Sequence, residues 1–159
     1  LLERFAGVRP RYATGPPPEA AAPHLVIGDA ALAEAERLPP GCTAVDLAAW
    51  WHRETGLPMV FALWLLRAEV AEGEPEAAAT LLRRLAAARE AGLADLEGLA
   101  ARHADAAWPA PRLAAYWRRL TYRLGEAERA GLARFFALAA EVGAAPPAAA
   151  EAAARAVAP

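Results

Sequence analysis

Gly28 and Asp29 are the residues of this chain best placed, by type and spacing, to meet a ligand. They follow a short apolar run, Leu25, Val26 and Ile27, and precede a helix-forming segment from Ala30 onward, so the chain reads as a strand running into a helix with Asp29 at its N-cap. At such a junction the end of the strand meets the free N–H groups of the first helical turn, and a small anion can be held by backbone donors alone. Gly28, having no Cβ, would let the backbone approach that ligand closely. Asp29 would line the site and cap the helix. A carboxylate beside an anion repels it unless turned away or bonded to donors, so capping is expected to be its main task. The same pair would also suit an ordinary strand-to-helix junction with no ligand at all.

The other chemistry-bearing residues are more isolated. His52, mid-helix beside Trp51 and Arg53, reads as a partly exposed structural histidine, and neither His24 nor His103 has a Cys or carboxylate at metal-ligand spacing, so no metal site is expected. For His24, at the entrance of the strand, residue spacing identifies no partner for acid–base work. Cys42 stands alone, which excludes an internal disulfide and mildly favours a reducing, cytoplasmic compartment. Trp50, Trp51, Phe61 and Trp64 suit either an aromatic wall for a ring-shaped ligand or core packing, and their spacing favours the core. Tyr116, Trp117 and Tyr122 read as helix packing. The chain has no glycine-rich phosphate loop and no nucleophile elbow.

Composition narrows the partners. A chain of 159 residues that is 57% apolar can bury a sizeable core. Its 17 basic residues are all arginine, interspersed among 19 acidic ones for a net charge of −2, so no stripe attracts nucleic acid. The longest uncharged apolar run, residues 58–66, is about half the roughly 20 residues a membrane-spanning helix needs. No membrane segment is expected.

The elements that would position these residues fall into two stretches. Strands are expected at residues 8–13, 24–28, 43–47 and 59–66, the last buried on both faces because its apolar residues are continuous. A turn is expected at residues 14–18, and helices at residues 30–37 and from Asp46 or Leu47 to Gly56, where a glycine followed by Pro58 supplies a stop. After Arg67 the pattern is helical throughout, with helices at about residues 76–90 ended by Gly92, 93–107, 112–124 closed by Gly125, and one opened by Glu126 and Glu128. That last helix carries an apolar stripe of Leu132, Phe135, Phe136, Ala139 and Val142. The Ala- and Pro-rich residues 144–159 have too little bulk to pack and are expected to fray.

VIGDAAL, then a spacer, DL, a helix with Trp and Glu, and TGLPMVFALW together resemble the chorismate dehydratase family of the futalosine route to menaquinone. The specific matches are Gly28 with Asp29, and Thr55, Gly56, Leu57 and Pro58 with Val60, Phe61, Ala62 and Trp64; the helical continuation YWRRLTYRLGEAERAGLARFF is similar to the family's C-terminal region. Met59 stands where that family more often has Phe, a swap that conserves volume. The resemblance implies an α/β, periplasmic-binding-protein-like fold of type II. The chain, which opens on what reads as the end of a helix, would be the later part of a longer protein, truncated to the second lobe plus the C-terminal helices of the first. On that expectation residues 1–46 belong to the second lobe and residues 47–143 return to the first. The implied activity is dehydration of chorismate to 3-[(1-carboxyvinyl)oxy]benzoate without a cofactor, with the piece alone inactive. Gly28 and Asp29 would be the substrate-binding residues present here. The family's N-terminal asparagine and serine-containing loop have no counterpart, so no catalytic residue is named. Two alternatives share the fold: a non-catalytic solute-binding protein, and the sister family that makes 1,4-dihydroxy-6-naphthoate.

Overall fold

The computed structural model describes residues 1–15, 23–34, 37–149 and 151. Its helices are α1 (Leu2–Phe5), α2 (Gly28–Glu34), α3 (Leu47–Thr55), α4 (Ala68–Gly73), α5 (Pro75–Ala94), α6 (Leu96–His103), α7 (Ala110–Trp117) and α8 (Glu126–Glu141). They fall into two units, Leu1–Val60 with Glu126–Pro159, and Phe61–Gly125.

The first unit is built on Trp51. Its helix, α3, starts where the Asp46 carboxylate accepts from the Ala48 and Ala49 N–H groups at 2.9 and 3.1 Å, and stops where Gly56 turns to a φ of +71°. Both ends are satisfied by the residue types that cap helices, an acidic N-cap and a left-handed glycine. These bounds agree with the expected helix. The cap geometry turns Trp51 inward, where it is 1% exposed, with Phe5 and Phe135 packed edge-on at centroid distances of 6.4 and 5.9 Å. Its Nε1 donates to the Pro58 carbonyl at 3.1 Å, so the buried indole carries no unpaired donor. Thr55 Oγ1 donates to the Trp51 carbonyl at 2.8 Å and accepts from Leu57 N–H at 3.2 Å, which folds the Thr55, Gly56, Leu57, Pro58 turn back over the helix. Gly131 of α8 lies directly against the Pro58 carbonyl, in a place no Cβ could occupy. The buried Leu132 and Leu138 extend this core along α8, and Arg4 pairs with Glu141 at 3.1 Å.

The second unit is a set of helices with a small core. Pro75 opens α5, at a position where its missing N–H has no partner to lose. Ala100 and Ala114, essentially inaccessible, let α6 and α7 approach closely, with Leu96 and Ala78 the other buried residues. Asp95 accepts from Gly98 N–H at 3.0 Å and so caps α6. The Asp105 carboxylate accepts from Ala107 and Trp108 N–H at 2.9 and 2.7 Å, turning the chain between α6 and α7. Around these, Arg118 pairs with Glu97, and Glu90 with both Arg89 (2.9 Å) and Arg123 (2.6 Å).

The expected α/β, periplasmic-binding-protein-like lobe is not what forms. The described residues contain helices and turns and no strand. Residues 8–13, 24–28, 43–47 and 59–66 are not laddered to one another by backbone hydrogen bonds. A strand exists only with a neighbour to exchange those bonds, and β-forming composition records suitability for a sheet, not its presence. Residues 59–66, expected to be buried on both faces, expose Phe61, Trp64 and Leu65 to 70%, 87% and 85%. Among the helices, α5 runs through Gly92 to Ala94 and hands over at Asp95, while α7 closes at Trp117, short of the expected stop at Gly125. Residues 16–18 of the expected turn, residues 35 and 36 of the second helix, and residues 150 and 152–159 of the tail lie outside the described residues.

Candidate functional site

Gly28 is the first residue of α2 and has a φ of +65°, a left-handed conformation that glycine adopts freely and L side chains rarely do. Among the described residues nothing stands within 4 Å of the position a Cβ would take there. Backbone rotation alone favours glycine here, and no packed neighbour among the described residues adds to that. Asp29 lies within the first turn of the helix, after Gly28, and not in the cap position expected of it. From the first turn its negative charge still favours the positive end of the helix dipole. The same charge opposes an incoming anion at the free N–H groups.

The approach to this corner is exposed, with Leu25 and Ile27 accessible to 73% and 78%. His24 Nε2 lies 3.0 Å from Glu34 Oε2, joining the chain ahead of α2 to its final turn. That clasp holds Gly28 and Asp29 inside a short closed loop. It also supplies the partner for His24 that spacing alone did not reveal.

The remaining candidates are distributed by packing. Trp51 is core; Trp50 Nε1 donates to Glu54 Oε1 at 3.1 Å on the same helix. Phe61 and Trp64 belong to the second unit and are exposed. His52 Nδ1 donates to the Leu57 carbonyl at 3.3 Å, assisting the turn after α3. His103 packs edge-on against Trp117 at 6.3 Å, and Trp108 lies near Tyr116 at 6.2 Å with the Arg112 guanidinium 3.8 Å above its ring. Burial, with Tyr116 adding to it, raises the Tyr122 pKa. Cys42 is half-buried and free. A depression along α5 is lined by Glu76, Ala77, Thr80, Leu81 and Arg84, all from one helix and none from the Gly28 corner. Among the described residues no three His, Cys, Asp or Glu side chains gather as a metal ion would require, and no helix is long and apolar enough to cross a membrane.

Residue spacing did not reveal the joint between Trp51, Pro58 and Gly131. The signal was present in a glycine lying inside the otherwise helix-forming sequence of residues 126–141, where it costs about 1 kcal/mol relative to Ala and so implies a close contact. The joint fixes the Thr55 to Pro58 turn, which is part of the motif that carries the family resemblance.

No solved structure matches the chain. A family model described as menaquinone biosynthesis matches residues 1–141, a span that includes Gly28 and Asp29, the Thr55 to Pro58 turn and the whole of α8. By that match the chain belongs to the menaquinone biosynthesis family.

Proposed function

We propose that the chain serves menaquinone biosynthesis as part of a cytoplasmic lyase that dehydrates chorismate to 3-[(1-carboxyvinyl)oxy]benzoate. The family match over residues 1–141 carries this reading, and the VIGDAAL and TGLPMVFALW segments within that span favour this particular step. The elimination takes a hydroxyl and a proton from a cyclohexadiene and leaves a benzene ring, so aromatisation supplies the driving force. What remains for the protein is to orient a dicarboxylate and to assist the two departures. Gly28 and the free N–H groups at the start of α2 would contact a substrate carboxylate, with Asp29 restraining the helix start.

The test is genetic and chemical together. Disrupting the gene in its host should abolish menaquinone, and supplying 3-[(1-carboxyvinyl)oxy]benzoate to extracts of the disrupted strain should restore it, while chorismate should not. Restoration by 1,4-dihydroxy-6-naphthoate alone would assign the later step of the sister family instead. Menaquinone synthesis that continues undiminished would remove both readings.

A further inference from the structure

We draw no further inference here: the strongest candidate, the exposed uncharged run of residues 61–66 between α3 and α4, is an unpartnered apolar segment, and nothing in the structure shows what covers it.

Discussion

Replacing Gly131 with Ala tests the joint at the heart of the first unit. The added Cβ would fall inside the van der Waals envelope of the Pro58 carbonyl oxygen, the same atom that accepts the Trp51 indole N–H. Because the obstacle is backbone, no side chain can swing aside, and α8 or the turn must shift. Overpacking of this kind costs about 1–3 kcal/mol, and displacing the carbonyl from the indole adds about 1 kcal/mol. The higher helix propensity of Ala returns about 1 kcal/mol, leaving a net loss of roughly 1–3 kcal/mol. Gly92→Ala is the matched control, since it also lies within a helix but its Cβ would meet Leu99 Cδ2 at an ordinary 3.7 Å. That variant should be stabilised by about 0.5–1 kcal/mol. Urea denaturation followed by far-ultraviolet circular dichroism reads both. In a Trp51→Phe background, where the hydrogen bond is already gone, Gly131→Ala should cost less than in the parent. Equal stabilisation by the two glycine substitutions would refute the close approach.

Asp46→Ala removes the acceptor for two N–H groups at the start of α3 and should cost about 1 kcal/mol in the same assay, with Asp46→Ser or Asn retaining most of the stability. Gly28→Val forces a β-branched residue into a left-handed conformation. On the proposed chorismate dehydratase activity, it should raise the KM for chorismate or abolish turnover of the gene product with only about 1–2 kcal/mol lost in stability; a folded, fully active variant would leave Gly28 a purely structural role. The hydrogen bond from Arg89, with help from Arg123, lowers the Glu90 pKa below its ordinary value. Since the folded state holds the charged form more strongly, this contribution is present above the unfolded pKa and fades as pH falls through the folded one. A carboxyl-carbon NMR titration should place the Glu90 midpoint below that of a free glutamate and move it upward in Arg89→Gln. An unmoved midpoint would show that the pair is not formed in solution.

The helix α3 was legible because its stop signals are local: a glycine and a following proline each act within a few residues of themselves. The opening of α8 by Glu126 and Glu128 was legible for the same reason. Residues 24–28 and 59–66 were misread because a strand is a property of two segments, and apolar continuity describes only one of them. Gly92 was misread as a stop because a glycine within a helix is tolerated where the flanking residues propagate it, and Asp95 supplies a stronger boundary three residues later. At the candidate site the sequence marked the Gly28–Asp29 pair but carried no sign of how the backbone turns there. Backbone rotation at Gly28 and the bond from His24 to Glu34 are facts of three-dimensional geometry. The family resemblance, by contrast, depended on residue identity rather than on shape, and it stands where the expected sheet does not.

The contrast between Trp51, sealed between two phenylalanine rings, and Trp64, nearly bare, gives each unit its own optical reporter. An indole shielded from solvent dipoles emits to the blue and resists collisional quenchers, whereas one in open water emits to the red and is quenched readily. In a variant whose Trp50, Trp108 and Trp117 are replaced by Phe, iodide titration therefore separates the signal of residue 51 from that of residue 64 without any label, so that each unit's response to temperature or to an added compound is followed in a single cuvette.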